Sequence, residues 1–233
     1  MKNVPYAIGI MTYSKRRTFI SDLLSDIRSV SEIPVYLAVN ADYQVPFDDD
    51  YRKFILELCA SYKHVYASFY LTFRGSSKLW NDMIINTSAD NLIIMNDDAR
   101  VKNTFLHDLI AHKESTDNNK ILKVNNGWAC FCVNKEFIKS VGFFNEKYLG
   151  IGFEDMEFVR RVSEFPSFHS EDFVDLNFES VSTFPKMENV FDAHKKSYSS
   201  YNHNLIQRNE VGDEGKSFRP YEDIYDKNFD QIF

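Results

Sequence analysis

Short apolar runs alternate with helix-like segments over the first hundred residues, and this alternation constrains the fold more than any other feature. Runs of this kind, bounded by polar residues, are typical of buried parallel strands. We assign strands to residues 7–12, 35–39, 65–71 and 91–95. The segments between them carry apolar residues at helical spacing, as in the stripe of Phe19, Leu23 and Ile27. Strands alternating with helices predict an α/β fold, with a mostly parallel sheet covered on both faces.

The second half of the chain is less regular. It predicts one strand over 128–133, a short helix over 135–141 and an amphipathic helix over 154–162 that opens with acidic residues. After about residue 193 the composition becomes polar, so the tail from residue 205 is expected to be an extension.

Charge, cysteine spacing and the lack of long apolar runs limit the expected partners and location of the protein. With 27 Lys and Arg against 34 Asp and Glu, the chain has a net charge of −7, which argues against duplex nucleic acid as the main partner. A modified base remains open as a small partner. Three cysteines without metal-type spacing predict reduced thiols. The first residues lack the apolar core of a signal peptide, and no run approaches 18 apolar residues, so we expect a cytoplasmic protein with no transmembrane span.

Polar residues stand at the carboxyl ends of the predicted strands, where ligands bind in open α/β sheets. These ends are residues 12–13, 40–42, 74–75 and 96–98. Asp97 and Asp98 are adjacent carboxylates, which repel each other unless a cation or a basic group neutralises them. A divalent cation bound to a diphosphate meets that need, although Asn and Asp are also common in ordinary turns.

A second motif, GFFNEKYLGIGFEDMEF over residues 142–158, is longer and more specific. Gly150 and Gly152 allow the backbone to bend close to a ligand. Glu154 and Asp155 follow in the first helical turn, whose positive end favours ionised carboxylates. An ionised carboxylate facing a crevice is a candidate general base.

The stretch from Gly127 to Arg161 resembles the acceptor and catalytic segment of the GT-A-fold glycosyltransferases. It is most similar to the inverting β-galactosyltransferase and chondroitin-polymerase type, in which a glycine-rich segment ends in an adjacent Glu-Asp pair. The resemblance implies a single GT-A domain over residues 1–204. Its nucleotide-sugar-binding half would span 1–100 and its acceptor and catalytic half 101–204, with a C-terminal extension over 205–233.

The resemblance also implies roles for individual residues. Asp98 matches the metal-binding Asp of the family's Asp-x-Asp motif, while Asn96 stands where the first Asp is usual. His194, 40 residues after Glu154, matches a late histidine that completes the metal site. Asp155 matches the catalytic base, and Glu154 the neighbouring acid that bonds a sugar. Mn²⁺ is the expected metal, or Mg²⁺, since oxygen ligands suit both and an imidazole favours the softer ion.

The remaining assignments concern the two substrates. The donor-binding candidates follow the first four strands or begin the helix after the third, where backbone amides favour phosphate: Thr12, Tyr13, Arg16, Asn40, Asp42, Arg74, Lys78, Asn81 and Asp97. The acceptor-binding candidates are Trp128, Gly152, Phe153 and Glu154.

The expected reaction is inverting transfer of a sugar from a nucleotide-diphosphate donor, a UDP-sugar by default, to a hydroxyl of a glycan or another acceptor. A retaining GT-A transferase and an inactive carbohydrate-binding domain are the alternatives, the second favoured by Asn96 in place of an acid. A nucleotidyltransferase would need a glycine-rich phosphate loop after the first strand, and residues 13–17 contain no glycine.

Overall fold

The computed structural model describes residues 5–42, 47–148 and 153–181. Gly152, His194 and the proposed extension over 205–233 lie outside these ranges. The strands are β1 (Tyr6–Tyr13), β2 (Val35–Asn40), β3 (Val65–Phe69), β4 (Asn91–Asn96), β5 (Ala99–Val101), β6 (Lys120–Val124), β7 (Gly127–Asn134), β8 (His169–Phe173) and β9 (Phe178–Ser180). The helices are α1 (Arg17–Val30), α2 (Asp49–Ser61), α3 (Ser76–Asn86), α4 (Phe105–Glu114), α5 (Lys135–Val141) and α6 (Glu154–Ser163), and a 3-10 helix, Ser14–Arg16, precedes α1.

Seven of the strands form one mixed sheet in the order β3-β2-β1-β4-β7-β6-β8. β7 is antiparallel to both of its neighbours, β4 and β6, and all other pairs in this sheet are parallel. β5 and β9 form a separate antiparallel pair. The predicted α/β fold with a mostly parallel mixed sheet is therefore confirmed.

Alternate residues of the central strands enter two different cores, one on each face of the sheet. Ile93 and Met95 of β4 pack in one core with α1, α2 and α4, whereas Leu92 and Ile94 pack in the other with α3, α5 and α6. Helices therefore cover both faces, as the sequence predicts. On the second face α3 packs very close to β1, since a Cβ at Gly9 would lie 2.8 Å from Met83 Sδ.

The elements of the first half begin and end within a few residues of their predicted bounds. The acidic run over residues 48–50 leads into α2, and Asp48 caps this helix by accepting a hydrogen bond from Tyr51 N at 2.9 Å. In the second half, α5 and α6 match the prediction, whereas β5, β6, β8, β9 and α4 have no counterpart in it. The strand β8 reads His-Ser-Glu-Asp-Phe at the sheet edge and has no apolar alternation that could have marked it.

The cysteines are free thiols, as expected. Cys130 and Cys132 are fully buried on the same face of β7, and burial raises the pKa of both thiols. None of the helices in the described ranges combines the length and the apolar character that a bilayer span requires.

Buried Arg161 joins α6 to the start of the 142–158 motif. Only 4% of this residue is exposed, and its guanidinium donates to the carbonyls of Val141 and Phe143 at 2.7 Å each. Its Nε also donates to Glu157 one turn earlier, at 2.9 Å. Charged side chains are rarely buried this deeply unless paired. Here the two bonds to carbonyls fix the chain before α6, and the bond to Glu157 lies within the helix.

Replacing Arg161 with Ala should lower the free energy of unfolding by about 3 kcal/mol, because two buried carbonyls and the Glu157 carboxylate lose their donor. Urea denaturation measures the change. The control is Lys53→Ala, which removes an exposed ion pair with Asp50 and should cost under about 0.5 kcal/mol. Equal losses in the two variants would contradict the role given to Arg161.

Candidate functional site

The site lies where the strand order of the large sheet reverses. β1 pairs with β2 on one side and with β4 on the other, and the crossover helices leave a crevice at such a point, outside the carboxyl ends of the strands. The last β1–β4 pair is Met11 with Asn96. Thr12 and Tyr13 therefore emerge beside Asp97 and Asp98, as expected from the strand ends.

Arg16 bridges the two aspartates. Its Nη1 lies 3.6 Å from Asp97 Oδ1 and 3.4 Å from Asp98 Oδ2. The side chains are 13%, 7% and 6% exposed, so the three charges interact with little screening by water. The 3-10 helix after β1 carries Arg16 to this position. A residue assigned to the donor side is thus in contact with the predicted metal motif.

The Asp97 carboxyl has a strongly altered acidity. Burial raises its pKa to about 7, Arg16 opposes the rise, Asp98 adds to it, and the Thr12 hydroxyl opposes it. Thr12 is itself buried, and its Oγ1 is hydrogen-bonded to the Tyr51 hydroxyl at 2.6 Å. The Asp97 carboxyl is therefore held in a largely dry environment, where Arg16 only partly neutralises its negative charge.

The chain after Asp98 anchors the acidic pair. The Asp98 carbonyl accepts a hydrogen bond from Val181 N at 2.8 Å, at the end of β9. Two residues further on, Arg100 makes a bidentate contact with Asp26 of α1, with nitrogen–oxygen distances of 2.6 and 3.0 Å. The position of the pair is thus fixed from the side of α1 as well as by β4.

The end of β2 is linked to the start of α3. The Asn40 amide donates to the Arg74 carbonyl at 2.8 Å and accepts from Arg74 N at 2.9 Å. Asp42 follows and is 7% exposed. The two hydrogen bonds set the position of the Arg74–Gly75 turn, so Asn40 shapes the predicted phosphate-binding end of α3 by holding its backbone.

Asn81, on α3, holds the 142–158 motif in place. It is fully buried, its amide nitrogen donates to the Phe144 carbonyl at 2.8 Å and to Glu146 Oε1 at 2.9 Å, and its Oδ1 accepts from Phe144 N at 3.0 Å. Lys78, one turn earlier, pairs with Asp82 at 2.8 Å and lies 3.8 Å from Glu146. Asn81 is predicted to bind the donor, and the structure shows that its side chain connects α3 to residues 144 and 146.

Glu146 and Tyr51 are site residues that the sequence did not single out. Burial raises the pKa of Glu146, and the hydrogen bond from Asn81 and the charge of Lys78 partly counter this rise. Tyr51 lies on α2 and reaches Thr12, 39 residues away in the chain. Glu146 is within the quoted motif and could have been noticed there, whereas nothing in the sequence pairs Tyr51 with Thr12.

Trp128 belongs to an aromatic cluster under the motif. β7 is antiparallel to β4. Trp128, at the start of β7, therefore lies next to the carboxyl end of β4. Its ring stacks on Trp80 at 6.2 Å and meets Phe144 and Phe158 edge to face. Phe144 and Phe158 stack at 4.0 Å, joining the motif to α6. Trp128 is only half-buried, which leaves part of the ring for a ligand.

The acidic end of α6 follows a backbone turn of unusual conformation. Phe153 has φ of 73°, a value that bulky residues seldom adopt and that clusters at functional sites. Glu154 is 6% exposed, while Asp155 is half-buried, and its Oδ1 accepts from Met156 N at 2.9 Å. Of the two acids, Asp155 is the more accessible to a substrate.

The described residues provide only some of the side chains that would be needed to bind a metal ion. They contain no group of three or more His, Cys, Asp or Glu side chains arranged to hold a metal ion, and His194 lies outside them. The acidic pair itself fits a cation, because Asp97 Oδ2 and Asp98 Oδ1 are buried and make no hydrogen bond to any described residue. One or two carboxylates, with substrate phosphates and water, are a common set for Mg²⁺.

Comparison with known proteins identifies the fold. No protein-family model matches the chain, and no curated protein matches its sequence. Solved structures do match. The mannosyltransferase PcManGT from Pyrobaculum calidifontis, in complex with GDP-Man and Mn²⁺, has a TM-score of 0.66 and 12% identity over 94% of this chain and 67% of its own.

Three further structures match less closely. TarS from S. aureus has a TM-score of 0.56 and 14% identity over 79% of this chain, which spans only 38% of the TarS chain. TarS 1-349, in complex with UDP, has a TM-score of 0.53. A cytidylyltransferase from Leptospira borgpetersenii has a TM-score of 0.53 and 11% identity over 77% of this chain and 79% of its own. At these identities the likeness is one of fold, and this chain has the Rossmann-like α/β fold that PcManGT and TarS share.

The raised pKa of Asp97 predicts a pH-dependent effect of Asp97→Asn on stability in the presence of a chelator. Below about pH 4 the carboxyl is protonated in both the folded and the unfolded chain. As the pH rises towards 7, it ionises in the unfolded chain first, so the wild type loses stability relative to the variant. Above about pH 7 the difference should level off.

Thermal unfolding from pH 4 to pH 8 measures this difference. The exposed Asp50→Asn is the control, because its carboxylate lies at the surface. The prediction fails if both variants give the same pH profile.

Proposed function

We propose that this chain is a glycosyltransferase that moves a sugar from a nucleotide-diphosphate donor to an acceptor hydroxyl. The observation that carries the proposal is the buried Asp97–Asp98 pair at the point of strand reversal, with two carboxylate oxygens that have no hydrogen-bond partner among the described residues. Buried polar atoms without partners are rare and indicate a binding site for a ligand, a water or an ion. PcManGT has the same fold and binds GDP-Man and Mn²⁺, which supports a nucleotide sugar as the donor.

A divalent cation held by Asp98, Asp97 and, outside the described residues, His194 would neutralise the charge of the departing diphosphate. Mn²⁺ or Mg²⁺ would serve, and the mannosyltransferase complex with Mn²⁺ favours the first. The amino end of α3 adds positive potential on the donor side, next to the turn that Asn40 fixes. Lys78 is paired with Asp82 and would exchange this partner for the donor phosphates. UDP is the default nucleotide, in line with the UDP complex of TarS 1-349.

Asp155 is the proposed general base. In the transfer step the proton of the acceptor hydroxyl passes to the Asp155 carboxylate as the oxygen bonds to the anomeric carbon. The bond from that carbon to the diphosphate breaks, and its electron pair leaves with the diphosphate. Attack from the face opposite the leaving group inverts the anomeric configuration. Glu154 and the half-buried Trp128 would orient the acceptor, with Trp128 offering an aromatic face on which a sugar can stack.

The rival readings of this fold differ in chemistry that can be measured. A retaining transferase would give product with the donor's anomeric configuration, which NMR distinguishes. An inactive binding domain would release no nucleotide diphosphate from the donor, even with Mn²⁺. The fold alone also suits a nucleotidyltransferase, as in the Leptospira cytidylyltransferase. Here, however, β1 leads through Ser14–Arg16 directly into α1 and offers no glycine-rich phosphate loop.

The first experiment screens UDP-sugars and GDP-sugars, with and without Mn²⁺, for a rise in melting temperature. A donor at 100 times its Kd should stabilise the fold by about 2.7 kcal/mol. The stabilising donor is then assayed for release of nucleotide diphosphate. The absence of both stabilisation and release across the panel would refute the proposed function.

Asp155→Asn should reduce transfer by about 10²- to 10⁴-fold with little change in donor affinity, because it removes the base and keeps the oxygen that accepts from Met156 N. Donor affinity is measured by calorimetry and transfer by product formation. Glu164→Gln, at the opposite end of α6, is the matched control and should transfer at the wild-type rate. Unchanged turnover in Asp155→Asn would refute the assignment of the base.

A further inference from the structure

The contact between Arg16 and the acidic pair is close in space but poorly bonded. Its nitrogen–oxygen distances of 3.4 and 3.6 Å are longer than the usual 2.7–2.9 Å of charge-assisted hydrogen bonds. Arg16 Nη1, Asp97 Oδ2 and Asp98 Oδ1 are all buried, and none of the three makes a hydrogen bond to a described residue. The arginine therefore neutralises part of the charge without satisfying the atoms that carry it.

The charges do not balance either. Two carboxylates face one guanidinium, so a fully ionised site retains an excess of one negative charge. Burial makes such an excess costly, and a small divalent cation would remove it while using the free oxygens. The guanidinium and a cation require the same two carboxylates.

Arg16 has other partners that it can keep when it leaves the pair. Its Nε lies 3.4 Å from the Tyr13 hydroxyl, and its guanidinium lies over the rings of Tyr13 and Phe19 at 5.5 and 5.2 Å. Contacts with aromatic rings stabilise a guanidinium without fixing it to one carboxylate. A shift away from the aspartates would thus cost Arg16 only part of its interactions.

We propose that Arg16 is the resident counter-ion of the Asp97–Asp98 pair and competes with a divalent cation for it. In the absence of substrate Arg16 weakens cation binding. A nucleotide diphosphate restores it, because its negative charge can take over the displaced guanidinium. Cation and nucleotide then bind with positive coupling, and Arg16 is the residue that sets its size. The inference deepens the proposed function and relies on it for the nucleotide, whereas the competition between Arg16 and the cation does not depend on it.

The decisive measurement is Mn²⁺ binding without nucleotide, followed by electron paramagnetic resonance of the free ion. Arg16→Gln should bind Mn²⁺ about 10- to 1,000-fold more tightly than the wild type, the range by which one nearby opposite charge alters the proton equilibrium of a carboxylate. Arg16→Lys should have a Kd for Mn²⁺ within about threefold of the wild-type value, because the lysine keeps a positive charge beside the carboxylates. Adding nucleotide diphosphate should tighten Mn²⁺ binding more in the wild type than in Arg16→Gln.

Arg17→Gln is the matched control. Arg17 is the next residue, but its guanidinium contacts Asp48 at 3.8 Å and the rings of Tyr51 and Phe54, so the Kd for Mn²⁺ should not change. Melting temperatures without metal verify that each variant is folded. If Arg16→Gln were unstable, Arg16→Met would replace it, because methionine also removes the charge and keeps an apolar side chain against the Phe19 ring. Arg16→Met should tighten Mn²⁺ binding by the same factor, and an unchanged Kd would overturn the competition.

The outcomes separate this inference from the proposed function. Equal or weaker Mn²⁺ binding in Arg16→Gln overturns the competition, and so does the absence of Mn²⁺ binding in every variant. Neither result bears on release of nucleotide diphosphate from a donor sugar, which tests the transferase. Conversely, Arg16→Gln could bind Mn²⁺ more tightly while the wild type turns over no donor sugar. That result would support the competition and refute the transferase.

Discussion

Parallel pairing of β1 with β4 is the constraint on which the rest of the site depends. It brings the chain after Tyr13 beside the acidic pair, although more than 80 residues separate them. The crossover helices leave a crevice where the strand order reverses, and here the carboxylates and Arg16 meet in a largely dry environment. The altered pKa of Asp97 and the loose ion pair both follow from this placement.

Two buried polar side chains then connect the start of the 142–158 motif to the helices α3 and α6. Asn81 holds Phe144 and Glu146 from α3, and Arg161 holds Val141 and Phe143 from α6. The backbone bonded to each side chain has few alternative positions, because a shift would leave a buried hydrogen-bond donor or acceptor without a partner. The geometry of the proposed acceptor side is therefore determined by residues that need not touch a substrate.

Much of the fold could be predicted from the sequence because apolar periodicity records which face of each element is buried. The strands of the first half, α5 and α6 are strongly patterned, and their predicted bounds are close to those observed. The polar edge strand β8 and the short pair β5 and β9 lack such a pattern, since few of their side chains enter a core. The assignments of Asp98, Asp155 and the substrate-binding residues remain predictions, and those of Gly152 and His194 fall outside the described residues.

The sequence by itself determined that Asp97 and Asp98 directly follow a buried strand and that Glu154 and Asp155 open a helix, because local patterning decides such positions. Only the tertiary structure decided what surrounds them. That Arg16 faces the acidic pair, that Tyr51 bonds Thr12, and that Asn81 holds the motif instead of standing free are long-range contacts. No periodicity encodes them, since each depends on which strands pair and on how the helices pack over the sheet.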